Sequence, residues 1–276
     1  MALHTAPEGF FKTAPPHSND ELHRFVRKAA SLGFKTAQIG PLHDFVHIEG
    51  EFFRGVLDSL GMARNVHVGG SYDAREFATA EEEIAKARRQ IHYGINLCRE
   101  VGSKLVSIHP PFFAATNEVD TKLLSKARAR FLQMLWDEVS LASRSHVRIA
   151  LESFCYPPFI FEGLQDFVQF VSEFPLEKLG VLLDVGHVYQ VGIDVFEAAS
   201  LFRHRLLDVH VHDAKLDGDF RRATHLPLGK GTVSFPDFIA HLGECRYEGC
   251  LTLEVRGSER EIVESKVYLE NLIGST

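Results

Sequence analysis

Residues 147–152, VRIALE, form an apolar run that ends in a carboxylate, and the same arrangement recurs in GVLLD (180–184) and LLDVH (206–210), the last of which ends in a histidine. A fourth run, CLTLE (250–254), also ends in a carboxylate. Runs rich in Val, Leu and Ile are typical of strands buried on both faces of a parallel sheet. Because amphipathic helical patterns separate these runs, the sequence predicts consecutive βαβ units.

The alternation of strand and helix patterns extends over the whole chain of 276 residues. Strands are predicted at 9–13, 34–39, 65–68, 104–109, 147–154, 180–185, 206–211 and 250–255. Eight such strands favour a closed (β/α)8 TIM barrel over the alternative, an open α/β sheet. The absence of a G-x-G-x-x-G motif after the first strand further weakens a doubly wound fold. We therefore expect one domain over residues 1–276.

Composition restricts the classes of partner. The formal net charge is −7, which disfavours long-range attraction to a phosphate backbone and so disfavours nucleic acid as a partner. No apolar run approaches the roughly 20 residues of a membrane span. The four cysteines form no C-x-x-C pair, and the first residues lack a secretory signal pattern, so we expect a cytoplasmic protein.

The carboxyl ends of all barrel strands meet at one mouth. The four runs quoted above would bring four ligand-type residues together there: Glu152, Asp184, His210 and Glu254. Burial of three carboxylates in one apolar place is unfavourable unless cations offset their charge. A single strand-end Glu or His is usually a solvated loop residue, but four in succession favour a divalent-metal site.

Two neighbouring motifs add histidines to this mouth. In LDVGH (183–187), Gly186 permits a turn that would bring His187 to the same side as Asp184. In HVHD (210–213), strand alternation puts His212 on the face of His210, where it is either a second ligand or a hydrogen-bonding group that orients one. Asp213 is an alternative cap for the next segment.

Three more histidines lie at or after strand ends: His67, His109 and His225. For His109 and His225 we favour a functional role, whereas for His67 a buried structural histidine is an equal alternative. The Gly229-Lys230-Gly231 stretch after His225 is a weak candidate for a phosphate cradle because it lacks Walker spacing.

These segments together resemble the xylose isomerase-like barrel superfamily, which contains sugar isomerases and epimerases as well as an endonuclease IV branch. The resemblance covers essentially the whole chain and is strongest from Val147 onward. The sequences that carry it are ALES (150–153), LDVGH (183–187), VHVHDAK (209–215), HLPLGKG (225–231) and LEV (253–255).

The epimerase branch implies roles for these positions. Its metal ligands would be Glu152, Asp184, His210 and Glu254. The same Glu152 and Glu254 would transfer a proton through a metal-stabilised enediolate, and His187 would contact the substrate. That branch usually has an arginine a few residues after the ligand histidine, where this chain has KLDG (215–218). Substitutes for it would be Lys215, Arg221 or Arg222.

The endonuclease IV branch, which uses a trinuclear zinc cluster, also has matching residues here. They are His67, His109, Glu152, Asp184, His187, His210, His225 and Glu254. That branch has an aspartate two residues before the last histidine, and this chain has Ala223 there. Loss of a carboxylate removes charge compensation for one ion, which favours the isomerase interpretation.

The sequence thus predicts a divalent-metal-dependent isomerase or epimerase of a small sugar, sugar phosphate or hydroxy-keto acid. The alternatives are a lyase or dehydratase, an endonuclease IV-like zinc phosphodiesterase acting on abasic DNA, and a non-catalytic sugar-binding barrel. Mn²⁺ or Zn²⁺ is preferred as the ion, ahead of Mg²⁺ or Co²⁺.

The expected ligands and partners follow from this function. The residues expected to contact substrate are His187, His109, His67, His225 and Lys215. We expect a small carbohydrate-like substrate, no membrane or nucleic acid partner, and a homodimer or homotetramer. Aromatic residues expected to be exposed, and either to close over the substrate or to pack against a second subunit, are Phe112, Phe113, Tyr156 and Phe159.

Overall fold

The computed structural model describes residues 2–5, 18–40, 47–113, 120–153, 160–216 and 224–274. Eight strands pair in sequence order to form a closed parallel barrel. They are β1 (Ala2–Thr5), β2 (Thr36–Ile39), β3 (Ala63–Val68), β4 (Leu105–Ile108), β5 (Arg148–Glu152), β6 (Leu179–Asp184), β7 (Leu206–Val211) and β8 (Cys250–Leu253). The predicted (β/α)8 TIM barrel is confirmed.

Helices connect the strands on the outside of this barrel. Those in the described ranges are α1 (Asn19–Ser31), α2 (Gly50–Ser59), α3 (Ala74–Thr79), α4 (Glu81–Val101), α5 (Thr121–Arg144), α6 (Leu164–Ser172), α7 (Val185–Gln190), α8 (Val195–Phe202), α9 (Phe235–Glu244) and α10 (Glu259–Gly274). Across the described ranges, none of these helices is both long and apolar enough to span a membrane.

The first strand of the barrel lies at Ala2–Thr5, and the segment predicted for it, 9–13, is outside the described residues. Its four residues pair with β8 from Ala2↔Cys250 to Thr5↔Leu253 and with β2 through His4↔Thr36. The hydrophobic pattern of these four residues is weak. Their strand conformation depends instead on pairing with β2 and β8, which closes the barrel.

Burial of the strands on both faces explains their continuous apolar sequences. All six residues of β6 are buried, between the barrel interior and the surrounding helices. Outside the strands, aromatic side chains fill the layer between α5 and α6, where Phe131 stacks on Phe170 with ring centroids 5.7 Å apart. This rigid frame brings the carboxyl ends of the strands, and the polar residues that follow them, to one mouth.

Candidate metal centre

Nine buried ionisable side chains meet at the carboxyl ends of β3 to β8. They are His67, His109, Glu152, Asp184, His187, His210, His212, His225 and Glu254, and we refer to them as the mouth cluster. Their ligand atoms form four overlapping groups of three, and within each group the atoms lie within 4.8 Å of one another. The strands therefore bring together every histidine and carboxylate that the sequence assigned to the mouth.

The four predicted metal ligands come from four successive strands, β5 to β8. Glu152, Asp184 and His210 form one of the close groups. His210 Nδ1 lies 2.9 Å from Glu254 Oε2 and 3.7 Å from Asp184 Oδ2, so this nitrogen faces the carboxylates. Three carboxylates and one imidazole form a donor set that suits Mn²⁺, Zn²⁺ or a similar divalent ion.

The start of α7 fixes the position of Asp184. Asp184 is the N-cap residue of this helix, and its Oδ1 accepts a hydrogen bond of 2.7 Å from the N–H of His187. Its own N–H donates to Ser153 Oγ at 3.2 Å. The cap also brings the ring of His187 towards the carboxylates, with Nδ1 3.3 Å from Asp184 Oδ2 and 3.6 Å from Glu152 Oε1.

His67 and His109 direct one ring nitrogen each at Glu152. His67 Nδ1 lies 2.8 Å from Ser107 Oγ, and His109 Nδ1 lies 3.3 Å from the carbonyl oxygen of Gly70. As a result, Nε2 of each ring faces Glu152 Oε2, at a distance of 3.7 Å for His67 and 3.0 Å for His109. When Nδ1–H of His109 donates to Gly70, its Nε2 lone pair faces a carboxylate oxygen, an arrangement that a cation between them would stabilise.

His212 connects Asp184 to the segment that carries His225. The backbone N–H of His225 donates to His212 Nδ1 at 2.8 Å, and His212 Nε2 lies 2.9 Å from Asp184 Oδ1. Burial lowers the pKa of His212, but Asp184 outweighs this and raises it above its usual value. An Nδ1 that accepts the N–H of His225 carries no proton, so Nε2–H faces Asp184, a geometry that suits a group that orients a ligand.

The backbone of His225 adopts a conformation that residues other than glycine rarely have. Its φ is +56°, in the left-handed region. The ring stacks on that of His212 at a centroid distance of 4.2 Å, with an interplanar angle of 7°. Strained backbone of this kind is concentrated at functional sites, where the surrounding contacts hold it in place.

Asp213 organises the loop that follows His225 and is not the cap of a helix. Its Oδ2 accepts from the N–H groups of Gly229 at 2.9 Å and Gly231 at 2.8 Å. The N–H of Lys230 donates to the carbonyl of Pro227 at 3.0 Å. The suggested phosphate cradle at 229–231 is therefore wrong, because the N–H groups that would bind a phosphate already have acceptors within the protein.

The charges of the mouth cluster depend on one another. Within the described residues, the ionic contacts of Glu152, Asp184 and Glu254 are all with histidines. Burial opposes the charged form of Glu152, yet His109 holds its pKa well below the usual range. Burial also opposes ionisation of Glu254, and His210 nevertheless holds its pKa well below the usual range. Burial lowers the pKa of His210, but Glu254 holds it well above the usual range, so in the ion-free protein the histidines and carboxylates offset one another.

Comparison with known proteins identifies the family. The sequence model described as xylose isomerase-like TIM barrel matches residues 26–272. This chain belongs to that family. The match covers most of the chain, and it confirms the superfamily that the strand-end motifs resemble.

Two curated relatives of this family member have related sequences. The "Uncharacterized protein MJ1311" of Methanocaldococcus jannaschii is 24% identical over 181 residues, which are 63% of this chain and 58% of that protein. A "Probable endonuclease 4" of Chlorobium phaeobacteroides is 34% identical over 91 residues, 29% of this chain and 31% of that protein. The match therefore spans less than two thirds of the length of either relative.

Solved structures show the same fold over full length. A D-tagatose 3-epimerase-like protein superimposes with a TM-score of 0.79 at 18% identity, covering 100% of this chain and 98% of that one. A structure described as IOLI protein with a binding zinc atom gives a TM-score of 0.78 at 13% identity, covering 100% and 99%. At these identities the likeness concerns the fold alone.

Other predicted residues lie away from the mouth cluster or outside the described residues. Lys215 is exposed, and its role as a substrate contact stays a prediction. The expected exposure of two aromatic residues is wrong: Phe113 is buried and Phe112 is half-buried, because their segment pairs with Tyr72 and Asp73 beside α3. The positions outside the described residues are Tyr156, Phe159, Arg221, Arg222 and Ala223.

A polar layer that was not predicted from the sequence lies inside the barrel, beneath the mouth cluster. Asp208 on β7 accepts hydrogen bonds from Thr252 Oγ1 at 2.9 Å and from Asn65 Nδ2 at 3.3 Å. Gln38 on β2 contacts the same carboxylate at 3.5 Å. The available signal was a polar residue within an apolar strand, in TAQI (36–39) and in LLDVHV (206–211).

Proposed function

We propose that this protein is a divalent-metal-dependent isomerase or epimerase of a small sugar, sugar phosphate or hydroxy-keto acid. The observation that carries the proposal is the set of buried ligand-type residues at the ends of four successive strands, Glu152, Asp184, His210 and Glu254. The D-tagatose 3-epimerase-like structure and the zinc-containing IOLI structure, which share the fold, support this choice of reaction class.

The donor set fits a divalent ion. Three buried carboxylates have histidines as their ionic partners in the described part of the chain, and without an ion these contacts favour protonated histidine. A divalent ion would take the place of those protons in offsetting the carboxylates. Glu152, Asp184, His210 and Glu254 would hold the ion. A bound divalent ion would polarise the substrate carbonyl and the adjacent hydroxyl and so acidify the C–H bond between them. Mn²⁺ or Zn²⁺ suits these donors best.

Two carboxylates supply the acid–base chemistry. Glu152 on β5 and Glu254, directly after β8, reach the mouth from strands that β6 and β7 separate. A substrate between them would meet one carboxylate on each face. One carboxylate takes the proton as the C–H bond breaks and its electron pair delocalises towards the carbonyl. The other carboxylate, which has taken up a proton from solvent, gives that proton to form the new C–H bond on the opposite face. His187, which contacts both Glu152 and Asp184, would hold a substrate hydroxyl.

A hydrogen-exchange experiment tests this proposal. The protein, loaded with Mn²⁺ or Zn²⁺, is incubated with ketohexoses and ketopentoses in deuterium oxide, and deuterium incorporation and epimer formation are followed by NMR. The wild type should exchange the C–H next to the carbonyl. Glu152→Gln and Glu254→Gln should each lose at least about 100-fold in rate, since positioned general acid–base groups contribute ~10²–10⁴-fold.

Glu138→Gln is the matched control for these variants. Glu138 is as buried as Glu152, but it lies on α5, outside the barrel, where it contacts Arg88 and His92. This variant should keep the exchange rate. Full turnover of an identified substrate by both Glu152→Gln and Glu254→Gln would reject the proton-transfer roles.

A second candidate function is a zinc-dependent phosphodiesterase that acts on abasic DNA. It is supported by a further group of potential ligands, His67 with His109 and Glu152. The partial match to a probable endonuclease 4 supports it too. Elemental analysis separates the two functions. About one ion per chain favours the isomerase, whereas two or three zinc ions with chelator-sensitive incision of an abasic duplex would favour the nuclease.

A further inference from the structure

Gln38 lies inside the barrel directly behind the candidate ligand His210. Its side chain is fully buried on β2. Nε2 of Gln38 lies 3.0 Å from His210 Nε2 and 3.5 Å from Asp208 Oδ2. Among the described residues, its Oε1 has no hydrogen-bond partner. A buried amide oxygen without a partner is unfavourable, and its place beside a candidate ligand calls for a physical reason.

The two nitrogen atoms of His210 face different surroundings. Nδ1 faces the mouth, 2.9 Å from Glu254 Oε2, and Nε2 faces the amide of Gln38 in the barrel interior. A neutral imidazole binds a metal ion through the nitrogen that carries no proton. Metal binding through Nδ1 therefore requires that Nε2 carry the proton, and a buried Nε2–H requires an acceptor.

We infer that Gln38 is a positioning residue that selects the tautomer of His210, an inference that rests on the proposed metal-dependent function. A half-turn of the Gln38 amide about its last side-chain bond places Oε1, in place of Nε2, opposite His210 Nε2. In that orientation Oε1 accepts the Nε2–H of His210, Nδ1 keeps a lone pair for the ion, and the 3.5 Å contact from the Gln38 amide N–H to Asp208 Oδ2 is given up. In the opposite orientation Gln38 donates to His210 Nε2, and Nδ1 carries a proton towards Glu254.

The polar layer that contains Gln38 provides an internal control. Asp208, whose Oδ2 lies 3.5 Å from Gln38 Nε2, is held by Thr252 Oγ1 and by the N–H of Val209, each at 2.9 Å. Asn65 Nδ2 donates to the same Oδ2 at 3.3 Å. A change at Asn65 thus perturbs the layer without removing the amide that faces His210.

Binding of Mn²⁺ alone, without substrate, tests the inference. Chelator-treated wild type, Gln38→Met, Gln38→Glu and Asn65→Leu are titrated with Mn²⁺, and free Mn²⁺ is measured by electron paramagnetic resonance. Gln38→Met keeps the side-chain length without an acceptor and should weaken binding about 10- to 100-fold, the usual effect of removing a group that orients a ligand. Gln38→Glu keeps an acceptor and should bind within tenfold of wild type or more tightly. Asn65→Leu should stay within about twofold.

The nitrogen atoms of His210 give a second readout that needs no variant at Gln38. Protein with ¹⁵N-labelled histidine is loaded with Zn²⁺, and the His210 signals are identified by their loss in His210→Gln. The inference requires a protonated Nε2 and a metal-bound Nδ1.

The outcomes separate this inference from the proposed function. Three results would overturn the role of Gln38 alone. They are a wild-type Mn²⁺ affinity in Gln38→Met, a loss of affinity in Asn65→Leu equal to that in Gln38→Met, and metal binding through Nε2 of His210. A wild type that binds neither Mn²⁺ nor Zn²⁺ would overturn the proposed function and this inference together.

Discussion

The histidines of the mouth cluster differ from one another because each ring nitrogen faces a particular partner. His212 accepts the N–H of His225 with Nδ1 and lies against Asp184 with Nε2, so both of its nitrogens are used within the protein. His109 uses Nδ1 on the carbonyl of Gly70 and leaves Nε2 for Glu152. Identical side chains are thus divided into orienting groups and potential ligands by contacts that only the fold provides.

A glycine is required at position 186 because the ring of His212 leaves no room there for a Cβ atom. A Cβ at this position would lie 2.0 Å from His212 Cε1. We predict that Gly186→Ala displaces His212 and lowers the free energy of unfolding by about 1–3 kcal/mol through overpacking. Gly243→Ala is the control, since Gly243 lies in α9 and its Cβ would meet nothing within 4 Å. Urea denaturation of both variants measures the difference, and equal stabilities would contradict the prediction.

The protonation of His67 contributes to the pH dependence of stability. Burial, with the nearby His109, lowers its pKa from 6.5 to about 3. Between these values the unfolded chain binds a proton at His67 that the folded protein does not, so its contribution to the free energy of unfolding falls as the pH decreases. When the pH is lowered from 6.5 to 5, the free energy of unfolding should decrease in chelator-treated wild type and in His67→Gln. We predict that the decrease is about 1.5 kcal/mol smaller in His67→Gln. Parallel urea curves at both pH values measure this, and identical losses would contradict it.

Loops and helix ends add to the geometry of the mouth cluster that the strands bring together. The first turn of α7 directs Asp184 and His187 to one point through a single capping hydrogen bond. The segment after His225 is shaped by the carboxylate of Asp213, which accepts the N–H groups of Gly229, Gly231, Ala214 and Val233. Hydrogen bonds to a charged acceptor are stronger than neutral ones, so one side chain can fix a whole loop.

The loop that Asp213 organises should be unusually sensitive to loss of its charge. We predict that Asp213→Asn lowers the free energy of unfolding by about 2–3 kcal/mol, because the neutral amide weakens several hydrogen bonds and leaves a buried N–H group unsatisfied. Asp194→Asn is the control, since Asp194 caps the exposed end of α8 through two N–H groups and should cost about 1 kcal/mol or less. Hydrogen exchange of residues 229–233 should increase in Asp213→Asn alone, and unchanged protection there would refute this account.

Three buried carboxylates of the mouth cluster lie at one end of the barrel, Glu152, Asp184 and Glu254. A cation bound at that end would offset their charge. The same strands that converge there make the interior below it polar, with Asp208 and Gln38 buried among apolar residues. Ion binding at this end would therefore raise the free energy of unfolding of the whole fold.

Metal binding should stabilise the folded protein measurably. An ion at 100 times its dissociation constant adds about 2.7 kcal/mol to the free energy of unfolding. For a chain of this length we expect a rise in Tm of about 5–10 °C when Mn²⁺ or Zn²⁺ is added to chelator-treated protein. Glu254→Gln should show less than half of that rise in differential scanning calorimetry, because it removes one proposed ligand. An equal rise in this variant would place the ion elsewhere.

The sequence by itself determined the repeated strand and helix pattern, the family and the residue types at the strand ends. These follow from local periodicity and from the ends of apolar runs, which are properties of neighbouring residues. It located β5 to β8 well, and with them Glu152, Asp184, His210 and Glu254.

Only the tertiary structure decided where the barrel closes, which nitrogen of each histidine faces which partner, and that Gln38 and Asp208 lie beneath the mouth. The position of β1 at Ala2–Thr5 depends on its pairing with β2 and β8, on opposite sides of it in the barrel. The contact of Gln38 with His210 joins residues 172 positions apart. Such contacts depend on register and ring orientation between distant strands, which no local pattern encodes.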